Sequence, residues 1–135
     1  MKRKIVSVLL FVVLIIFLYL QWDRRMDVVN SFSTSSTNYH EENIVVVANT
    51  IYISNKEKFA ERIVNNCIEN NFKSIFFDYK TMKPNALYVT VYSSEFTRRL
   101  NMPVFTFSYT SDKNEIGLYN IIDDSENYRI IVDEE

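Results

Sequence analysis

The sequence predicts an α+β protein in three parts: an N-terminal transmembrane helix at 1–22, a flexible Ser/Thr-rich tether at 23–43, and one extracytoplasmic domain at 44–135. In that domain one helix is expected to pack on an antiparallel meander sheet of about five or six strands. Three observations lead there. Apolar residues run almost unbroken from Ile5 to Leu20, a later segment repeats its apolar residues at helical spacing, and beyond it the period falls from about 3.6 to 2 with turn residues at short intervals.

The leading run follows Met1-Lys2-Arg3-Lys4, has Ser7 as its one polar interruption, and ends at Tyr19, Trp22 and Arg24-Arg25. From Ile5 to Trp22 it reaches about 27 Å as a helix, close to the hydrocarbon thickness of a bilayer. The lipid bilayer is therefore its expected partner. The basic cluster before the run outweighs the Arg pair after it, which predicts a cytoplasmic N-terminus, and Tyr19 and Trp22 fall where aromatics favour the headgroup layer. The alternative is secretion after signal cleavage. Against it stand an apolar region longer than a signal needs and the lack of a small-x-small site around Leu20-Gln21-Trp22-Asp23.

Composition narrows the chemistry. The chain carries a net charge of −2 although its first 25 residues are strongly basic, so the remainder is acidic. Nucleic acid is excluded as an expected partner, because phosphate-backbone affinity rests on clustered Lys and Arg. Cys67 is the only cysteine and falls on an apolar helix face, the setting of a structural thiol. Gly117 is the only glycine, and phosphate cradles need several. A surplus of Asn, Ile, Lys, Tyr and Phe matches AT-rich coding DNA and suggests a bacterial source.

Asp23 to Asn43 reads as a coil with a span of about 25 Å. His40-Glu41-Glu42 closes it, and one histidine in a mobile segment offers neither the ligand number nor the fixed geometry of a metal site. With His40 placed there, no imidazole base is expected within the folded part and a His-based triad is excluded. No catalytic, cofactor-binding or metal-ligating residues are assigned.

The domain begins with a strand from Ile44 to Ile53, interrupted near Asn49. Ser54 with Glu57 forms a capping-box signal for a helix whose apolar members are Phe59, Ala60, Ile63, Val64, Cys67 and Ile68. Asn70-Asn71 ends it. Strands are then expected at Ser74 to Tyr79, Ala86 to Ser93, Val104 to Tyr109, Glu115 to Ile122 and Tyr128 to Val132, with a helical turn at Ser94 to Leu100. The short links between them predict antiparallel neighbours.

Alternation sorts the sheet faces. Ile75, Phe77, Tyr79, Leu87, Val89, Val91, Phe105, Phe107, Ile116, Leu118, Ile122, Ile130 and Val132 should face the helix. The other face should present Phe76, Tyr88, Tyr92, Tyr119 and Arg129, the candidate partner-binding residues, since Tyr and Arg are enriched where contact area coexists with water. The expected function is a single-pass anchored binding module that docks an envelope protein or peptide and catalyses no reaction. The alternatives are an anchored hydrolase or modifying enzyme working without a His-based triad, and an accessory subunit of a membrane complex.

Overall fold

The computed structural model describes residues 1–112 and 117–133. Helix α1 (Lys2–Leu18) continues as one π-helical turn, Tyr19–Asp23. None of its side chains is buried. The helical stretch Lys2–Asp23 is 22 residues, long and apolar enough to cross a membrane or to serve as a signal sequence.

The expected tether is instead a hairpin. Strand β1 (Asp27–Ser36) pairs antiparallel with β2 (Tyr39–Val47) through a turn at Thr37-Asn38, with a bulge between Val28 and Asn30. Its Ser and Thr residues suit a half-exposed edge strand as well as they suit a linker, because Thr tolerates the pleat and both hydroxyls remain wet. Strand pairing therefore begins at Asp27 rather than at Ile44. Strand β2 ends at Val47, where Asn49 adopts a left-handed φ of 53°, and the chain still follows the sheet as Ala48 and Thr50 donate to the Tyr92 and Ser93 carbonyls.

Helix α2 (Lys56–Ile68) forms where the apolar spacing predicts, with Phe59, Ala60, Ile63, Val64 and Cys67 buried. Its cap is Asn55 rather than Ser54: the Asn55 side chain accepts from the Lys58 amide at 3.0 Å, and Asn is at least as good a cap as Ser. Asn70 terminates it at φ 54°.

Strands β3 (Ala86–Tyr92), β4 (Phe105–Ser111) and β5 (Tyr128–Val132) complete a five-stranded sheet in sequential order, with a short helix α3 (Glu95–Arg99) between β3 and β4. The sheet is mixed, not an antiparallel meander, since β2 and β3 run parallel. The reason is the connection: α2 carries the chain back across one face of the sheet, and such a crossover returns the next strand in the same direction.

Two expected strands do not form among the described residues. Residues 74–79 alternate as predicted, with Phe77 buried and Ile75 and Tyr79 packed against the core, yet their backbone bonds go to side chains rather than to a ladder. Asn70 pairs both polar groups of Phe77 at 2.7 and 2.8 Å, and Asp27 accepts from the Ser74 amide at 3.2 Å. Of the strand expected at Glu115 to Ile122, Glu115 and Ile116 lie outside the described residues and the rest is turn; Ile121 is buried, whereas Leu118, expected in the core, is exposed.

The core fills the space between α2 and one sheet face. Ile44, Val46, Leu87, Val89, Val91, Phe105 and Phe107 point into it, as alternation predicts for β3 and β4. Among the described residues no helix covers the opposite face.

Candidate functional site

Strand register assembles the uncovered face. One row crosses every strand, Phe32, Asn43, Tyr88, Ser108 and Ile131 standing side by side. Val45, Thr90 and Thr106 form the next row on one side, and Glu41 with Thr34 a shorter one on the other. Phe32 and Ile131, at the two ends of the long row, are 58% and 42% exposed, so the face has apolar flanks and a hydrogen-bonding centre. Burial pushes the Tyr39 phenol up, reinforced by the neighbouring Tyr88 and Glu41, so it stays a neutral donor across the physiological range.

The five sequence candidates do not all meet there. Tyr88 sits at the centre. Arg129 stands on the same side of β5 and pairs with Asp112 at 2.5 Å. Tyr92 has the outward register but is buried at the sheet end, its hydroxyl 3.1 Å from the Asn101 side-chain oxygen beyond α3. Tyr119 lies in the turn before β5, where its carbonyl accepts from Asn85 and from the Tyr128 hydroxyl. Phe76, 78% exposed, belongs to the irregular segment between α2 and β3, away from this face. Phe32 and Ile131 were missed. The alternation of Asn30, Phe32, Thr34 and Ser36 could have revealed the first, had the segment not been read as linker.

A second arrangement overturns the placing of His40 in a mobile segment. His40 is on β2, its side chain 12% exposed, and its Nδ1 lies 2.7 Å from Ser35 Oγ across the hairpin. Its Nε2 faces Glu42 Oε2 at 3.5 Å, an electrostatic contact, and the same oxygen accepts from the Ser33 hydroxyl at 2.8 Å. Asn85 fixes the backbone beneath, accepting from the His40 amide at 2.8 Å and donating its own amide to the His40 carbonyl at 2.7 Å. A carboxylate beside Nε2 favours the tautomer protonated there, which leaves the Nδ1 lone pair toward Ser35. Chemically, this is a hydroxyl, a base and an orienting carboxylate in series.

Where α1 meets the domain, the Gln21 side chain pairs with Tyr52 like a strand backbone: its Oε1 accepts from the Tyr52 amide at 2.9 Å and its Nε2 donates to the Tyr52 carbonyl at 2.7 Å. Thr50 donates to the Gln21 carbonyl at 2.8 Å, and Asn49 to the Arg25 carbonyl at 2.8 Å. The helix is thus joined to the sheet by a clamp. No group of His, Cys, Asp and Glu suited to a metal ion occurs among the described residues. Comparison with protein-family models, curated proteins and solved structures gave no match.

Proposed function

We propose that this chain is a single-pass membrane protein, its N-terminus cytoplasmic, whose outward α+β domain docks an envelope protein or peptide through the uncovered sheet face. One observation carries this: among the described residues, a sheet face crossed by Phe32, Asn43, Tyr88, Ser108 and Ile131 is left without a covering helix. A face combining a tyrosine and small polar side chains with apolar flanks suits a contact that forms and dissociates in water. The clamp at Gln21 supports an anchor that stays attached, because cleavage after Gln21, Trp22 or Asp23 would remove the Gln21 groups that Thr50 and Tyr52 bind.

Site-specific photo-crosslinking in intact membranes tests it. A crosslinker at Ser108 should capture a discrete partner, one at Glu61 on the solvent side of α2 should not, and Tyr88→Ala plus Phe32→Ala should abolish the Ser108 product. Equal capture from Ser108 and Glu61 would count against the face.

A hydrolase reading is favoured separately by the Ser35, His40 and Glu42 series. In it Ser35 Oγ attacks an acyl carbon while its proton passes to His40 Nδ1. His40 then gives that proton to the departing alcohol or amine as its bond to the acyl carbon breaks, leaving Ser35 acylated for water to release. A fluorophosphonate probe distinguishes the two: labelling that vanishes in both Ser35→Ala and His40→Ala establishes a nucleophile, and an unlabelled native chain dismisses it.

A further inference from the structure

Beside the clamp, a cleft of about 290 Å³ opens between the end of α1 and the first turns of α2, its walls including Trp22, Arg24, Tyr52, Lys58, Phe59 and Arg62. Its charge is one-sided. Three cationic side chains line it with no carboxylate among the lining residues, and none of the three forms an ion pair with a carboxylate among the described residues. Arg24 donates through one terminal nitrogen to the Leu20 carbonyl at 3.2 Å, but its Nε is buried and has no hydrogen-bond partner. A buried guanidinium donor left unpaired is costly unless a ligand or water satisfies it. Arg62 is held over the Phe59 ring at 5.4 Å, so that its guanidinium is positioned in advance.

We propose that this cleft binds a phosphate oxyanion, presented by an anionic phospholipid headgroup of the outer leaflet. Guanidinium and ammonium groups match phosphate oxygens in charge and donor geometry. The source follows from position, since the cleft begins at Gln21 and Trp22, where a span starting at Ile5 leaves the hydrocarbon and enters the headgroup layer. The assignment to lipid rests on the membrane reading above; the preference for phosphate does not. Headgroup capture would reinforce the clamp in holding the domain's orientation against the membrane surface.

Trp22 is the only tryptophan and lines the cleft, so a change of its emission that depends on Lys58 and Arg62 reports on this site. The full chain in nanodiscs of phosphatidylcholine, titrated with rising mole fractions of phosphatidylglycerol, should show a saturable change in emission. Lys58→Gln plus Arg62→Gln, at two exposed positions, should weaken the midpoint at least about tenfold, each cation near an anionic surface being worth about 1 kcal/mol. Lys80→Gln, outside the cleft, should leave it unchanged. Equal weakening by Lys80→Gln, or no saturable response, overturns the site. Saturation by inorganic phosphate in phosphatidylcholine discs, with no phosphatidylglycerol dependence, overturns the lipid source. A chain recovered free of discs of either composition overturns the membrane reading and the lipid source with it.

Discussion

At the scale of single residues, this chain makes its sharp turns and cross-links with amide side chains. It has one glycine, and the left-handed positions that glycine would ordinarily take fall to Asn49, Asn70 and Asn101 at φ of 53°, 54° and 53°. Asn70 then uses its side chain a second time, pairing with Phe77 as a strand would, and Gln21 repeats the device with Tyr52. Asn70→Ala should cost about 2–3 kcal/mol, combining two half-buried hydrogen bonds with an unfavourable φ. Asn70→Gly should recover about 1 kcal/mol of that by relieving the φ alone. Urea unfolding midpoints of the two variants check the difference, and equal midpoints would mean that φ strain is negligible there. Gly117 is irreplaceable for a different reason, because a Cβ at its φ of 82° would collide with the Asn38 carbonyl in the β1–β2 turn. Burial, with Glu42 adding a smaller push, drives the Cys67 thiol far above its ordinary range. Iodoacetamide at neutral pH should therefore leave Cys67 unmodified in the folded chain and alkylate it once urea unfolds the domain; rapid labelling of the native protein would contradict its burial.

At the scale of elements, α2 is the piece the sheet cannot do without. Ile63 is wholly buried at its centre, facing the Phe105 and Phe107 side of the sheet within one continuous cluster. Ile63→Ala should destabilise by about 2–5 kcal/mol and Asn55→Ala, which removes the cap alone, by about 1 kcal/mol. Thermal unfolding followed by circular dichroism should rank them in that order, and a larger loss for Asn55 would show that α2 is held by its terminus more than by its packing. This helix was legible because its apolar residues repeat with the turn of the helix, and β3, β4, β5 and α3 were legible because each pairs a regular pattern with a nearby turn or cap. Strand β1 was not. Apart from Phe32 its outward residues are polar, as are most of its inward ones, since an edge strand beyond the reach of α2 buries little beyond Val28, and hydroxyl-rich sequence looks alike in a linker and in such a strand. That misreading carried His40 into a supposed coil and hid its contact with Ser35. Residues 74–79 show the converse, alternation that truly reports burial but says nothing about which groups satisfy the backbone. The parallel β2–β3 pair was obscured for the same reason, because a strand placed there separates β2 and β3 in the predicted order.

At the scale of the whole molecule, the decisive property is whether the apolar helix and the folded domain move together. A tether of about 25 Å would let the domain tumble. The clamp removes that freedom: Gln21 makes paired bonds to Tyr52, its side-chain oxygen also accepts from the Ile51 amide at 3.0 Å, and Thr50 and Asn49 hold the carbonyls on either side. Each such bond contributes about 0.5–1.5 kcal/mol net, so their joint loss would make local opening at the junction at least about tenfold more frequent. Arg24 and Arg25 sit in that junction and offer trypsin a cut that releases the domain from its helix. In nanodiscs the native chain should be cut there slowly, while Gln21→Ala, which leaves the core untouched, should release the domain at least about tenfold faster at an unchanged unfolding temperature. Cleavage at the same rate in both would mean that the helix swings freely despite these bonds, and the sheet face would then have no fixed direction relative to the membrane.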